Sequence, residues 1–362
     1  MWYRRPPVFP TEEVTRHERL VGYLPRWAPY ASLLAPLVNL RDRMPGLARV
    51  LERPTGIAAR RSLPPFRYNT FFRGYRDVAA RDLAPVDVVL FVDTFTNAFE
   101  PENAHATLRV LRDAGYRVRV ALPSPHDPDG TRPLCCGRTL LAYGLVDEAR
   151  REAVRLVDAL APYVAAGASV AGLEPSCLFT LRDEFLALRL GDAALRVAER
   201  ASLVEDFLVR ERAAGRASLA LAPLPERRAL VHGHCHQKAF DAVAPTLEVL
   251  RWIPGLDVDL VESTCCGMAG AFGYAARHFD VSMRMAELSL LPAVRAAEAD
   301  TIVVADGTSC RHQIADGTRA SGARSAVHAM RVLARSAELA KAPDRRRRRT
   351  DRLRDALGVP RW

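Results

Sequence analysis

The sequence contains almost no lysine and no apolar run long enough to form a membrane span. Lysine occurs at only two of 362 positions, so arginine supplies nearly all of the 52 basic residues. The longest apolar runs, 27–40 and 159–173, are shorter than the roughly 20 residues that a transmembrane helix needs, and both contain proline. The first residues also lack the apolar core of a secretory signal. We therefore expect a cytoplasmic, globular protein.

The distribution of charge argues against a nucleic-acid partner. The formal net charge is +10, but residues 1–80 carry +8, residues 81–340 carry −4 and residues 341–362 carry +6. The body of the chain is thus mildly acidic, and the basic excess lies at its two ends. The run Arg345–Arg349 is typical of a solvated tail, and attraction to anionic lipid is the alternative.

All seven cysteines fall into two groups, each with a Cys-Cys-Gly triplet. The first group is Cys135, Cys136 and Cys177, and the second is Cys235, Cys265, Cys266 and Cys310. An odd count in a long chain without a signal peptide disfavours a disulfide framework. Adjacent cysteines would bind one tetrahedral zinc ion under strain, whereas neighbouring thiolates can reach different iron atoms. The pattern favours an iron–sulfur cluster over buried structural or degenerate cysteines.

From residue 86 onward, strand-like and helix-like segments alternate. The predicted strands are 86–92, 116–122, 168–173, 229–232, 258–261 and 301–305. Residues 181–216 are predicted to be helical, and a helix is predicted to close the second module near Leu339. This alternation predicts an α/β fold of two pseudo-repeated modules, each a parallel sheet flanked by helices. We divide the chain into a Pro-rich helical arm (1–80), a first module (81–222), a second module (223–340) and a basic tail (341–362).

The cysteines of the second group follow the carboxyl ends of predicted strands. Those ends lie along one edge of a parallel sheet, where such folds build their sites. We therefore expect Cys235, the Cys265-Cys266 pair and Cys310 to meet there. Helix amino termini favour the thiolate over the thiol, and Gly267 allows the backbone to approach the cluster closely.

Three histidines alternate around Cys235 and should point the same way at the end of a strand. For His234 and His236 we predict hydrogen bonds to cluster sulfur or proton delivery. For His232, polar capping of the strand end is an equally good interpretation. His312, two residues after Cys310, is a further candidate neighbour of the cluster.

The arm is divided by ten prolines into short helical pieces and contains no cysteine. Five of its apolar residues follow helical spacing, namely Tyr30, Leu33, Leu34, Leu37 and Val38. We expect the arm to pack on a partner or on the body of the chain, and we find no catalytic grouping in it.

Several motifs resemble a known family. The stretches HGHCHQKAF, STCCGMAGAFGY, LEPSC and CCGRTL resemble the cysteine-rich (CCG) domain found in the B subunit of heterodisulfide reductase. They are more similar still to the iron–sulfur C-terminal part of FAD-linked D-2-hydroxyacid dehydrogenases of the D-lactate and glycolate oxidase type. The resemblance extends from about residue 86 to residue 338.

The sequence departs from that family in three respects. The ferredoxin module that usually precedes this region is absent, as is a flavin-binding domain, so the resemblance implies that FAD and the ferredoxin module reside on a partner oxidase chain. Thr94 stands in the first repeat where Cys235 stands in the second. Thr180 and Gln313 replace the last cysteine of the family pattern in the two repeats.

The resemblance implies different metal contents for the two modules. In the second, Cys235, Cys265, Cys266 and Cys310 would hold a [4Fe–4S] cluster, in a cubane or an open, non-cubane form. In the first, the three thiols would need a fourth ligand to hold zinc or a second cluster, and otherwise the site is vestigial. The candidates for that ligand are Asp93, His126 and Glu174.

The expected function is electron transfer within an FAD-linked 2-hydroxyacid dehydrogenase. Electrons would pass from the flavin partner to quinone or another acceptor, with the complex in the cytoplasm or peripheral at the inner face of the membrane. One alternative is a thiol–disulfide reductase component like that of heterodisulfide reductase. Another is a zinc-binding or vestigial assembly protein.

Overall fold

A computed structural model describes residues 14–75 and 85–341. Its centre consists of two parallel sheets with four strands each. The strands are β1 Val88–Phe91, β2 Val118–Val120, β3 Ser169–Gly172, β4 Ala201–Leu203, β5 Arg228–Val231, β6 Asp257–Leu260, β7 Ile302–Val304 and β8 Ala326–Val327. The strand orders are β2-β1-β3-β4 and β6-β5-β7-β8. The predicted α/β class with two parallel sheets is confirmed.

Helices precede, connect and follow these strands. The arm contains α1 Arg16–Gly22, α2 Leu24–Leu33, α3 Ala35–Val38, α4 Leu40–Arg43, α5 Leu47–Thr55 and α6 Phe71–Gly74. Helices around the first sheet are α7 Thr94–Ala98, α8 Pro101–Asp113, α9 Arg138–Ala142, α10 Val146–Ala165, α11 Pro175–Arg182, α12 Glu184–Ala187, α13 Asp192–Arg200 and α14 Val204–Ala213. Around the second sheet are α15 Cys235–Ala239, α16 Ala244–Arg251, α17 Phe279–Glu287, α18 Leu290–Ala296, α19 Thr308–Gly317 and α20, residues 329–341.

The burial of β1 in the first sheet explains why this strand could be predicted from the sequence. All four residues of β1 are buried, because helices cover both faces of a parallel sheet. A strand buried on both faces has a continuous apolar sequence, here Val-Val-Leu-Phe. The strand β6 lies at the edge of the second sheet and is mostly exposed, with the mixed sequence Asp-Val-Asp-Leu.

Two edge strands were not predicted. The three-residue β4 lies within residues 181–216, which were predicted to be all helical, and it follows α13 without a break. The two-residue β8 lies between α19 and α20, where no strand was predicted. Strands of two or three residues are too short to show the alternation of apolar and polar residues, and helix-forming sequence surrounds both. The all-helical prediction for residues 181–216 is therefore wrong at β4, and the strand β8 was missed.

Both sheets place their first strand between the second and the third. β1 pairs with β2 on one side and with β3 on the other, and β5 lies in the same way between β6 and β7. The chain thus reverses its direction of winding beside the first strand of each sheet. In open α/β sheets, the crevice at the carboxyl ends of strands at such a reversal is the usual ligand site.

One apolar cluster joins the two sheets. Leu90 of β1, Val231 of β5 and Val304 of β7 belong to it, together with Met330 and Leu333 of α20. The two modules therefore share part of a single core instead of each closing its own.

The arm packs on the body through small side chains. Ala28, Ala31 and Ala35 form one buried cluster with Phe66 and with Phe99 of the first module. Small residues allow the helix backbone to come close, so this face, and not the large apolar one, is buried. Of the five apolar residues with helical spacing, Tyr30, Leu33, Leu34 and Leu37 do not pack on the body, since these side chains are 49–69% exposed. The fifth, Val38, is partly buried against this cluster.

Parts of the predicted organisation lie outside the described residues. These are residues 1–13 of the arm, the predicted boundary between arm and first module within 76–84, and the basic tail beyond Lys341. Among residues 14–75 and 85–341, no helix combines the length and the apolar character that crossing a membrane requires.

Candidate metal centre

The four cysteines of the second module meet at one edge of its sheet. Cys235 begins α15 directly after β5, Cys265 and Cys266 lie in the loop after β6, and Cys310 lies in the first turn of α19 after β7. The Sγ atoms of Cys235 and Cys265 are 3.5 Å apart, as are those of Cys266 and Cys310. None of the four forms a disulfide. The sequence-predicted ligand set is thus assembled by the parallel sheet.

The four thiols differ in exposure. Cys266 and Cys310 are buried, whereas Cys235 and Cys265 are partly exposed. The cluster of thiols therefore has an inner side against the core and an outer side toward solvent.

Each close pair contains one sulfur that favours the thiolate form. The hydrogen bond with Cys235, followed by that with Cys266, lowers the pKa of Cys265 far below its usual range. The hydrogen bond with Cys266 likewise lowers the pKa of Cys310, against the effect of burial. Hydrogen bonding to Cys265 and burial raise the pKa values of Cys235 and Cys266. Thiolates are the form in which cysteine binds metal.

Gly267 holds the Cys-Cys turn in place. Its amide donates a hydrogen bond of 3.3 Å to Cys265 Sγ, and its φ of +87° lies in the left-handed region that favours glycine. A Cβ atom at this position would lie 2.2 Å from the carbonyl oxygen of Ser282. The turn therefore strongly favours glycine at this position, because the backbone of α17 lies against it.

His232 lies beside the two inner thiols. One of its ring nitrogens lies within 4.8 Å of the Sγ atoms of both Cys266 and Cys310. Its Nε2 is buried without a hydrogen-bond partner, while Nδ1 lies 2.9 Å from the hydroxyl of Ser263. The alternation of histidines around Cys235 was the available signal for His232.

The other histidines make contacts within the protein. Nδ1 of His234 accepts a hydrogen bond of 3.1 Å from the amide of His236 and so caps α15. The ring of His236 stacks on that of His234, and burial lowers its pKa to about 4. His312 lies between the hydroxyl groups of Ser62, at 3.1 Å, and Tyr274, at 2.9 Å, and thus bonds to the arm.

Lys238 holds the loop that carries the cysteine pair. Its ammonium group donates hydrogen bonds to the carbonyl oxygens of Ser263 and Thr264. Burial lowers the pKa of Lys238, and the nearby thiols act in the opposite direction. A positive charge beside a set of thiolates stabilises their ionised form.

The first module gathers its three thiols in a closed environment. Cys135, Cys136 and Cys177 are at most 4% exposed, and Gly137 donates a 3.3 Å hydrogen bond to Cys135 as Gly267 does to Cys265. Although the hydrogen bond with Cys136 acts to lower it, burial and nearby carboxylates raise the pKa of Cys177 to about 12. This environment favours neutral thiols.

The predicted fourth ligands of the first module have other partners. Asp93 caps α7 by accepting hydrogen bonds from the amides of Phe95 and Thr96, and burial followed by the charge of Glu174 raises its pKa to about 6. Glu174 accepts a 2.8 Å hydrogen bond from the amide of Thr308, at the start of α19. His126 lies exposed on a loop. In the described parts of the chain, these residues bring no three ligand atoms within 4.8 Å of one another.

Arg61 of the arm reaches into the second module, a contact for which no motif provides a signal. The side chain is fully buried, and it donates hydrogen bonds to Gln313 at 2.6 Å and Asp316 at 2.9 Å, both on α19. It also bonds to the carbonyl oxygen of Gly273, beyond the cysteine pair. Because the sequence contains fifty arginines, nothing in it singles out Arg61 as the one that makes this contact.

The donor set fits a thiolate-bound metal centre. Four unpaired thiols, a hydrogen-bond donor to sulfur and an unpartnered imidazole nitrogen converge on one place. Adjacent Cys265 and Cys266 suit a polynuclear cluster, because two neighbouring thiolates can bind different iron atoms. The group of His232, Cys266 and Cys310 has the nitrogen and sulfur donors that zinc also accepts.

Several curated proteins with detectable sequence similarity are dehydrogenases or components of them. The chain is 31% identical over 283 residues to the C subunit of anaerobic glycerol-3-phosphate dehydrogenase from Escherichia coli K12, covering 77% of this chain and 68% of that protein. It is 25% identical over 306 residues to D-2-hydroxyglutarate dehydrogenase of Pseudomonas putida, covering 82% of this chain and 28% of that protein. For D-2-hydroxyglutarate dehydrogenase of E. coli K12, the identity is 26% over 251 residues, with 67% and 22% covered. No protein-family model matches the chain.

Proposed function

Because the chain belongs to the family of the C subunit of anaerobic glycerol-3-phosphate dehydrogenase, an oxidoreductase component, we propose that it transfers electrons through an iron–sulfur cluster in its second module. The electrons come from a flavoprotein partner that carries FAD and a ferredoxin module, as the family resemblance implies. From the cluster, the electrons pass to quinone or another acceptor.

The observation that carries this proposal is the meeting of four free thiols from three strand ends. Cys235, Cys265, Cys266 and Cys310 would bind one [4Fe–4S] cluster, which supplies one-electron transfer when it is bound. Cys235 and Cys265 form the outer, partly exposed side, from which electrons can be exchanged with a partner.

The chain's own residues prepare the site for this role. The Gly267 amide donates to Cys265 sulfur, and Lys238 places a positive charge near the thiolates. Hydrogen bonds and positive charge near sulfur raise the reduction potential of a cluster, because they stabilise its more negative, reduced state. Burial of Cys266 and Cys310 keeps water from the inner side.

The partner's substrate is proposed to be a secondary alcohol. The relatives are named for glycerol 3-phosphate and for D-2-hydroxyglutarate, and both molecules carry a secondary hydroxyl group. A 2-hydroxyacid, as the motifs suggest, and a polyol phosphate are the two classes to compare. The reconstituted complex should reduce a quinone analogue with one of them.

Anaerobic reconstitution tests the cluster directly. The full chain should bind iron and sulfide as one [4Fe–4S] cluster and give an EPR signal in one of its redox states. Cys266→Ser should abolish the signal or change its g values, because serine replaces an inner thiolate. The matched variant Cys177→Ser removes a buried thiol of the first module and should leave iron content and spectrum unchanged.

Two results would count against this assignment, and a third would extend it to the first module. A protein that stays free of iron under these conditions would remove the redox function. Zinc bound in place of iron, with His232→Ala releasing it, would support the assembly-protein alternative. Loss of iron in Cys177→Ser, with the protein still folded by circular dichroism, would place a cluster in the first module as well.

The partial exposure of Cys235 and Cys265 favours a second candidate, the reduction of a disulfide substrate at the metal centre. An approaching disulfide could reach the outer side without any movement of the core. Repeated turnover of a disulfide to its dithiol by the reconstituted protein, kept reduced at an electrode, would support this function. Electron transfer to quinone without disulfide turnover would support the first.

A further inference from the structure

Three buried side chains meet where the two modules join, apart from the cysteines. Glu205 lies in the first turn of α14, Asp306 lies two residues beyond the end of β7, and His328 directly follows β8. Each is at most 1% exposed. Nδ1 of His328 lies 3.7 Å from a carboxylate oxygen of Glu205 and 3.6 Å from one of Asp306, and the three ligand atoms all lie within 4.8 Å of one another.

Glu205 has no hydrogen-bond partner for either carboxylate oxygen, although it is fully buried. Burial, followed by the charge of Asp306, raises the pKa of Glu205 well above its usual range. A buried carboxylate without donors is costly. Either a proton or a bound cation must therefore compensate its charge.

His328 is oriented as a ligand. Its Nε2 lies 3.2 Å from the carbonyl oxygen of Leu173, which can only accept, so Nε2 carries the hydrogen. Nδ1 therefore carries the lone pair, which accepts a 3.1 Å hydrogen bond from the amide of Met330. Nδ1 also lies 3.6 and 3.7 Å from the two carboxylates, so an ion bound there would replace the hydrogen bond from Met330. Histidines that bind metal usually donate their other ring N–H to a carbonyl or carboxylate in this way.

No positive side chain of the described residues is bonded to Glu205. The guanidinium of Arg311, which is nearby, bonds to Glu100 and to the carbonyl oxygens of Ala305 and Asp306. Asp306 accepts hydrogen bonds from neutral donors on Gln237, Thr246 and the Ala329 amide. The two carboxylates of the group therefore lack a cation of their own.

We propose that Glu205, Asp306 and His328 bind one divalent first-row transition-metal ion that ties the first module to the second. Ligand atoms about 2.1 Å from a tetrahedral ion lie about 3.4 Å from each other, close to the 3.6 and 3.7 Å observed. Two carboxylates and one imidazole suit Zn²⁺ or Mn²⁺. Because the ligands are buried, the ion is structural and takes no part in electron transfer.

Manganese is the sharper probe, because thiols bind this hard ion poorly. The full chain, stripped of metal, is titrated with Mn²⁺ while EPR follows the free ion. One site per chain is expected, with a weak nitrogen coupling in pulsed EPR from His328. Glu205→Gln, which keeps the shape of the side chain, should lower the affinity at least tenfold. Mn²⁺ should raise the Tm of the wild type but not of this variant.

Two variants serve as controls. Glu174→Gln changes another buried carboxylate between the modules, and Cys235→Ser removes an outer thiol, so both should bind Mn²⁺ as the wild type does. The proposal is overturned if the folded wild type binds neither Mn²⁺ nor Zn²⁺ at this site, or if Glu205→Gln binds them equally well. Binding lost only in Cys235→Ser would assign the ion to the thiols and would also overturn it. If Glu205 is protonated instead of bound to metal, neither ion changes the Tm, and this result would also overturn the proposal.

Discussion

Both the backbone conformation at position 267 and the small space around it favour glycine. Changing it to alanine forces a side chain into the left-handed region, which costs about 1–2 kcal/mol, and places Cβ against the Ser282 carbonyl oxygen. We expect Gly267→Ala to reduce the free energy of unfolding by at least about 3 kcal/mol. Urea unfolding of the metal-free protein, followed by circular dichroism, measures this loss.

Gly270 provides the matched control. Its φ is +66°, and an added Cβ would meet no atom within 4 Å. Gly270→Ala should therefore cost only the conformational part, about 1–2 kcal/mol. Equal losses in the two variants would mean that the Ser282 contact relaxes without cost.

Residue types predicted the cysteine site well and its surroundings poorly. The four cysteines of the second module could be identified because thiols are rare in this chain and each follows a strand. His232 and Arg61 could not be ranked, because their roles depend on side-chain direction and on a contact between segments more than 200 residues apart. Nothing local in a sequence encodes such a contact.

At the scale of elements, the buried Arg61 joins the arm to α19, beside hydrogen bonds from Ser62 to the same helix. Arg61→Met removes a buried partner of Asp316 and Gln313, although Asp316 keeps its ion pair with Arg319 and its hydrogen bond from Ser62. Breaking a buried ion pair by removing one member costs up to about 3–5 kcal/mol. We expect that loss in urea unfolding, together with faster proteolysis of the arm.

The neighbouring arginine gives a direct comparison. Arg60 pairs with Asp280, but both side chains are more than 60% exposed. Arg60→Met should cost at most about 1 kcal/mol, because exposed ion pairs contribute little. Similar losses for the two variants would indicate that the arm is not held by the buried contact.

His17 couples the contact between α1 and α5 to pH. Nδ1 lies 3.3 Å from the carbonyl oxygen of Thr55, and burial lowers the pKa of His17. A lowered folded-state pKa means that the unfolded chain binds the proton more readily, so stability falls as pH drops below about 6.5. The advantage of wild type over His17→Gln should be larger at pH 8 than at pH 5, as measured by urea unfolding.

A constant difference across this pH range would contradict the burial argument for His17. His126→Gln, on an exposed loop, controls for the substitution itself.

Prediction of elements succeeded where a strand was buried on both faces or followed by a cysteine motif. It failed for β4 and β8, which have only three and two residues and depend on pairing with β3 and β7. Strand formation at the edge of a sheet is decided by the neighbouring strand, and so it is not visible in a local pattern.

At the scale of the whole molecule, the shared core predicts cooperative unfolding. Leu90, Val231 and Val304 belong to one apolar cluster although they come from different sheets. We expect the metal-free protein to unfold in a single calorimetric transition, with equal calorimetric and van't Hoff enthalpies. Two resolved transitions would show that each module is stable alone.

The architecture followed from the sequence, but the way in which the modules join did not. The alternation of strands and helices predicted two parallel sheets, because each strand–helix–strand segment by itself indicates one crossover between parallel strands. The contacts between modules, such as Glu174 with Thr308 and Arg311 with Glu100, join residues 134 and 211 positions apart. No periodic pattern carries that information.

The attachment of Lys238 to the cysteine loop gives the protein a built-in chemical reporter. Apart from the amino terminus, an acylating reagent finds only two amines, and Lys341 is 45% exposed. Lys341 can thus calibrate each labelling reaction, while Lys238 is protected as long as it grips Ser263 and Thr264. Mass spectrometry of two peptides would then reveal whether the loop is ordered in any given preparation, with or without its metal.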